Sequence, residues 1–156
     1  MKTYWTEVPS PVGKIRIFAD EDALTYVDIS GECPRPKGNP ARNDVLRKAE
    51  KQFAEYFAGK REEFDLPLSF EGTEFQKKVW KALQRIPFGQ TRTYGQIAKS
   101  LKSPAASRAV GTACGRNPLS IVIPCHRVVG SNGSLTGFGG GLAMKEWLLK
   151  HEGLSL

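Results

Sequence analysis

Apolar spacing changes partway along the chain, and that change limits the folds open to it. From Lys14 to Ala19 apolar and polar residues alternate, with Ile15, Ile17 and Ala19 on one face. Leu24–Ile29 follows as another strand after the acidic turn Asp20-Glu21-Asp22. Tyr4–Val8 reads as a further short strand, with the turn residues Ser10-Pro11-Val12-Gly13 behind it. From about Asn43 to Ala58 the spacing is helical. Val45, Leu46, Ala49, Phe53, Tyr56 and Phe57 share one side, and Gly59 is placed to stop the helix. Residues Gly31–Pro40 read as a loop. Residues Lys60–Glu71 read as a link to a second part, which puts the domains at 1–68 and 69–156.

The second part is mostly helical by pattern. Thr73-Glu74-Phe75-Gln76 is a capping box ahead of the stripe Phe75, Val79, Leu83 and Ile86, and Pro87 ends that helix. Thr93-Tyr94-Gly95-Gln96 is a second capping box, opening a short helix through about Leu101. Ser103-Pro104 reads as an N-cap and first-turn proline for a helix from Ala105 to about Cys114. Two short helices joined by a tight turn suggest a helix-turn-helix. Residues 130–141 hold six glycines, which suits either a connector or backbone that must approach a flat ligand. Ala143–His151 reads as a last helix, with Trp147 and Leu148 in the core.

Charge separates the two parts. Residues 1–68 hold 11 Lys/Arg against 12 Asp/Glu, for a net of −1, and residues 69–156 hold 12 against 4, for a net of +8. Between Phe75 and Lys145 there are 11 basic residues and no acidic one. Such a stretch fits a polyanion partner, because phosphates draw basic side chains through counterion release. No run reaches the length of a membrane span, so no membrane partner is expected. The first residues lack the apolar core of a signal peptide, so an intracellular home is expected, cytoplasmic or, in a eukaryote, nuclear. Three widely spaced cysteines, Cys33, Cys114 and Cys125, include no CxxC pair, and no His stands at ligand spacing. Neither a disulfide framework nor a metal site is expected.

The chemistry concentrates at Pro124-Cys125-His126-Arg127-Val128. The chain has two His, and one adjoins a Cys. The apolar run Leu119-Ser120-Ile121-Val122-Ile123 ahead of them reads as a buried strand broken by Pro124, which would deliver a thiol at the end of a rigid element. A free Cys is usually an inert core residue. A neighbouring base is what makes one reactive.

Ile123-Pro124-Cys125-His126-Arg127-Val128-Val129 resembles the active-site signature of the O6-alkylguanine-DNA alkyltransferases, the methylated-DNA–protein-cysteine methyltransferases. Three further blocks agree in order. They are Ile86-Pro87-Phe88-Gly89 with Thr93–Ala98, Ser107-Arg108-Ala109-Val110-Gly111 with Asn117-Pro118, and Gly140–Leu149. The likeness covers about residues 70–153, and the first 68 residues match in size and pattern. It implies an α+β protein: a small antiparallel sheet with a helix, ribonuclease H-like, then a helical domain with a helix-turn-helix.

The resemblance also implies an activity, repair of O6-alkylguanine in double-stranded DNA. The alkyl group would pass irreversibly to Cys125, one turnover per chain, with base flipping, no cofactor and a monomeric protein. O4-alkylthymine is left open as a second substrate. His126 would support the thiolate through a bound water and Glu152 would orient His126, the logic of a hydrolytic triad with sulfur for oxygen. Tyr94 would crowd the adjacent phosphate near the leaving base, and Arg108 would fill the gap left by the flipped base. Ala105, Ala106, Ala109 and Gly111 would let the helix lie close to DNA, in the minor groove, and Asn117 would tie that helix to the active-site strand. Gly139 stands where some relatives carry a hydroxyl facing O6. The rival readings are a non-catalytic protein that binds alkylated DNA through its helix-turn-helix, a helix-turn-helix regulator with an unreactive Cys, and a Cys–His hydrolase.

Overall fold

Alternation in the first thirty residues closes into a three-stranded antiparallel sheet, in the order β1 (Tyr4–Val8), β2 (Ile15–Ala19), β3 (Leu24–Asp28). The computed structural model describes residues 2–36 and 40–156. Thr6 faces Ile17 and Ile17 faces Val27, so one sheet face is a layer of buried side chains including Ile15, Ile17 and Ala19. A bulge between Phe18 and Ala19 shifts the register before Leu24. Helix α1 (Asp44–Phe57) covers that layer with Leu46, Ala49, Phe53 and Tyr56. Asn43 caps it, accepting from the Leu46 N–H at 3.0 Å and donating to the Asp20 carbonyl at 2.8 Å.

Both sheet edges are covered, as exposed edges invite pairing with other chains. Ala41 donates to the Trp5 carbonyl on one side. On the other, Leu24 donates to Pro67 and Ser69 donates to Leu24. Residues 60–70, expected to be a link, are therefore part of the first unit. Gln52 clasps Asp65 there, donating to its carbonyl at 2.9 Å and accepting from its N–H at 2.8 Å. The chain divides into two compact units, Met1–Phe70 and Glu71–Leu156. Lys37, Gly38 and Asn39 of the expected loop lie outside the described residues.

The second unit comprises α2 (Glu74–Leu83), β4 (Arg92–Thr93), α3 (Tyr94–Ser100), α4 (Ser107–Gly115), a 3-10 turn (Cys125–Arg127), β5 (Val128–Val129) and α5 (Leu142–His151). Both expected capping boxes form, at Thr73/Gln76 and Thr93/Gln96. Trp80 on α2 donates its indole N–H to the Ala113 carbonyl of α4 at 2.9 Å. The two-residue parallel pair β4–β5 was not expected.

Ser103-Pro104 does not cap α4. Ala106 donates to the Ser103 carbonyl, closing a turn with Pro104 in its second position, the place where proline favours a turn. The helix starts at Ser107, and Ala105 and Ala106 belong to the turn joining α3 to α4. Trp147 is half-buried and stacks on His151 at 4.8 Å rather than filling the core. Among the described residues no helix is long and apolar enough to cross a membrane.

Candidate active site

The apolar run before the Cys is buried, but it is not a strand. Ile123 donates back to the Leu119 carbonyl at 2.8 Å, winding the run into one tight turn. Asn117 supplies the partners that a ladder would have given. Its carbonyl oxygen accepts from Leu119 at 2.9 Å and its amide donates to Ile123 at 2.8 Å. Asn117 therefore clamps the turn that carries the Cys, not a strand. Ile121 takes a φ of +74°, a region a β-branched side chain enters only under constraint. Such strain costs roughly 1–3 kcal/mol, and the burial of Leu119, Ile121 and Ile123 holds it in place.

Pro124 follows with φ −81° and ψ 65°, and Cys125 donates to the Ile123 carbonyl at 2.8 Å. This is an inverse γ-turn. It reverses the chain so that Cys125 opens the 3-10 turn, which runs into β5. Cys125 lines a cavity of about 380 Å³ with Tyr94, Gly111, Cys114, Gly115, Gly137, Phe138 and Gly139. Burial pushes its thiol up, while the Asn117 amide and the Lys145 ammonium pull it back. Cys114 in the same wall is pushed up to about 12, chiefly by burial, and so stays protonated.

Behind the Cys lies a buried ionic network. His126 Nε2 is 2.7 Å from Glu152 Oε2. Burial lowers the His126 pKa more than Glu152 raises it, so the ring is neutral and carries its proton on Nε2, toward the carboxylate. Nδ1 is then a lone-pair acceptor, buried without a hydrogen-bond partner among the described residues. Arg127 grips Glu152 with two donors, Nε to Oε1 at 2.7 Å and Nη2 to Oε2 at 3.1 Å. Its third donor reaches the Ile86 carbonyl at 2.7 Å, and Phe88 packs under the guanidinium. Burial works to raise the Glu152 pKa, but the hydrogen bonds from His126 and Arg127 and the Arg127 charge outweigh it and hold the carboxyl at about 2. Gly89, at φ +81°, lets the Glu152 carbonyl approach to 3.2 Å of where a Cβ would stand.

Sequence reasoning assigned no role to Arg127 or to Lys145. Lys145 is fully buried on α5 and donates to the Val128 and Thr136 carbonyls at 2.6 and 3.1 Å. A signal for both existed. Lys145, Leu148, Leu149 and Glu152 share one helical stripe, and charges on a buried stripe require partners.

Of the residues expected to meet DNA, Arg108 and Ala109 are exposed on α4, while Val110 and Ala113 face inward. Arg108, Tyr94, Gly95, Ser107, Gly111 and Ser131 line a second recess of about 440 Å³. Tyr94 therefore borders both hollows. A Cβ on Gly111 would sit 3.8 Å from its ring, so the glycine leaves α4 close against it.

The sequence model described as 6-O-methylguanine DNA methyltransferase, DNA binding domain, matches residues 74–154, and that of the same protein's ribonuclease-like domain matches residues 3–70. The chain belongs to the 6-O-methylguanine DNA methyltransferase family. It is 49% identical over 153 residues to the methylated-DNA–protein-cysteine methyltransferase of Methanosarcina acetivorans, covering 96% of this chain and 98% of that one. The Methanosarcina barkeri protein of that name is also 49% identical, over 152 residues, with 96% of each covered. Among solved structures, Mycobacterium tuberculosis OGT in complex with DNA superimposes with a TM-score of 0.88 at 42% identity, covering 96% of this chain and 92% of that one.

Proposed function

We propose that this chain repairs O6-alkylguanine in double-stranded DNA by transferring the alkyl group to Cys125, once per molecule and without a cofactor. The observation that carries the reading is the Cys125 thiol on its cavity, backed by the buried His126–Glu152–Arg127 network. A thiol raised by burial needs a base, and the neutral His126 supplies one at Nδ1, through a bound water. Sulfur then attacks the alkyl carbon in line. The C–S bond forms as the C–O6 bond breaks, and its electron pair stays on guanine. The thiol proton ends on the base, which leaves as ordinary guanine. Glu152 keeps the proton of His126 on Nε2, and Arg127 keeps Glu152 ionised and in place.

Residues 69–156 act as the DNA-binding and alkyl-acceptor domain, and residues 1–68 form a separate α/β domain. The target base lies inside the duplex stack, so it is flipped into the Cys125 cavity. Arg108 fills the gap, and Tyr94 flanks both recess and cavity. Ala109 and Gly111 on α4, with Ala105 and Ala106 in the preceding turn, let backbone approach the DNA. Asn117 fixes the turn that carries the nucleophile. The exposed basic residues Lys78, Lys81, Arg85, Lys99, Lys102, Arg108 and Arg116 supply the phosphate-facing charge. The protein works as a monomer in an intracellular compartment that keeps its thiols reduced.

Incubation with duplex DNA bearing labelled O6-methylguanine tests the reading. Label should move to the protein, stop at one group per chain, and vanish in Cys125→Ser while DNA binding persists. Binding without label would leave a lesion-binding protein, and multiple turnovers would refute irreversible transfer. Arg108→Ala should slow repair of duplex far more than reaction with the free base O6-benzylguanine, which needs no flipping.

A further inference from the structure

Thr136 stands in the glycine-rich segment 130–141, and two contacts fix it there. Its carbonyl accepts from the buried Lys145 ammonium at 3.1 Å, and that ammonium also donates to Val128, on the strand next to the Cys125–Arg127 turn, at 2.6 Å. Among the described residues no carboxylate lies within ion-pair range of Lys145, and these two carbonyls hold its ammonium. The Thr136 hydroxyl lies 2.5 Å from the Tyr94 hydroxyl. A segment so rich in glycine has much freedom to lose. Lys145 seats it against β5, and Thr136 passes that seat on to Tyr94. Gly137, Phe138 and Gly139, just beyond, line the Cys125 cavity, which Tyr94 also borders. The Tyr94 hydroxyl is thus set by a residue outside the reactive motif.

We infer that Thr136 is a positioning residue for the transfer step: seated by Lys145, it holds the Tyr94 hydroxyl where that group hydrogen-bonds the departing guanine. The inference rests on the transferase reading above. As the C–O6 bond breaks, its electron pair raises the negative charge on guanine until a proton arrives. A donor already in place stabilises that charge without reorganising first. When Thr136 donates into the tyrosine oxygen, the tyrosine O–H is left for the base and is polarised by the bond it accepts.

The test is single-turnover transfer from labelled duplex at saturating DNA, with affinity measured on the same variants. Thr136→Val removes the hydroxyl and keeps the volume. It should slow transfer about fivefold to tenfold, the effect of one hydrogen bond, with DNA affinity unchanged. Thr136→Ser should return the rate to within about twofold of the parent. In a Tyr94→Phe background, Thr136→Val should add nothing, because the two residues act as one unit. An unchanged rate in Thr136→Val overturns the inference. So does equal slowing in the Tyr94→Phe background, which would mean that Thr136 acts through the loop alone. Should Thr136→Val fail to fold, Thr136→Ala carries the same comparison. A parent protein that takes no label overturns the transferase reading and this inference together, whereas label in the parent with unchanged Thr136 variants overturns only the latter.

Discussion

In the first unit the ion pairs lie toward the surface: Glu7 with Lys14 and Arg16, Arg42 with Glu50, Arg47 with Asp44, Lys48 with Asp65, and Arg61 with Glu55. Its interior is apolar apart from Thr6, Asp28 and Gln52. Asp28 is satisfied locally by the N–H and hydroxyl of Ser30. The second unit has surface pairs too, Lys77 with Glu74 and Lys150 with Glu146, but it also charges its interior. It buries His126, Arg127, Lys145 and Glu152, and leaves a set of basic side chains exposed. Desolvating charges is expensive, and a paired buried set often stabilises no more than a hydrophobic one would. The first unit thus does what folding alone asks. The second carries a cost for which the proposed chemistry gives a reason, since a neutral, oriented imidazole and a thiol under control need that surrounding.

The comparison is most easily broken at Glu152. Glu152→Ala strips Arg127 of both carboxylate partners and His126 of its orienter, inside a buried site. Removing one member of a buried ionic set costs about 3–5 kcal/mol. Denaturant unfolding should show a loss of that size, and label transfer should fall by at least about a hundredfold, as for other groups that orient a catalytic base. A loss below about 1 kcal/mol would place the network on a par with a surface pair.

Next comes Asn117→Ala. It leaves the Leu119 N–H without the side chain that satisfies it and takes one of two donors from the Ile123 carbonyl, which keeps the Cys125 N–H. An unsatisfied buried group costs about 1–3 kcal/mol, and the strained Ile121 loses its clamp. Stability should drop by about 2–3 kcal/mol, and transfer should fall with it because the Cys125 turn is no longer fixed. Thermal melts and single-turnover rates on the one variant check both. An intact rate would show that burial alone holds the turn.

Legibility in the sequence followed the same division. Residues Ile15, Ile17 and Ala19 and the Thr73/Gln76 and Thr93/Gln96 boxes are readable because each is local chemistry within four residues. Leu119–Ile123 is not a strand because an apolar run reports burial, not direction, and the bonds that fix its turn include two to the Asn117 side chain outside the run. Ser103-Pro104 fits a turn as well as an N-cap, and only the fold decides. Cys125, His126 and Glu152 were legible through the family motif. Arg127 and Lys145 were present in those motifs but silent, because their partners lie 25, 41, 17 and 9 residues away in sequence.

Acid should separate the units. The Glu152 carboxyl sits at about 2 in place of the usual 4.5, so the unfolded chain takes the proton first as pH falls. The stability it contributes is present above about pH 4.5 and is lost on the way down to about 2. His126 adds to this from higher pH. Its folded pKa is depressed by burial below 6.5, so the unfolded chain again binds the proton first, and stability declines as pH drops below 6.5. Both losses fall on the second unit. Amide exchange followed from pH 7 to 3 should show residues 71–156 losing protection before residues 2–70. Glu152→Gln should remove the part of the decline below about pH 4.5. Simultaneous loss in both units would mean that these groups do not govern acid stability.

The smallest effect is expected where the first unit keeps its charges. Arg61 meets Glu55 at 3.1 Å with side chains 29% and 32% exposed, and also donates to the Glu63 carbonyl. Water still reaches both partners, and two long side chains must be held in one geometry. A pair of this kind contributes about 0.2–1 kcal/mol. Arg61→Ala should therefore lower stability by no more than that, and salt should erase most of the difference, because exposed charges are screened while buried ones are not. Label transfer to Cys125 should not change. The same salt titration on Glu152→Ala should leave its deficit in place. If instead Arg61→Ala cost above about 2 kcal/mol and resisted salt, the first unit would hold a structural ion pair as consequential as the buried set in the second, and the division of charge between surface and interior would no longer distinguish the two.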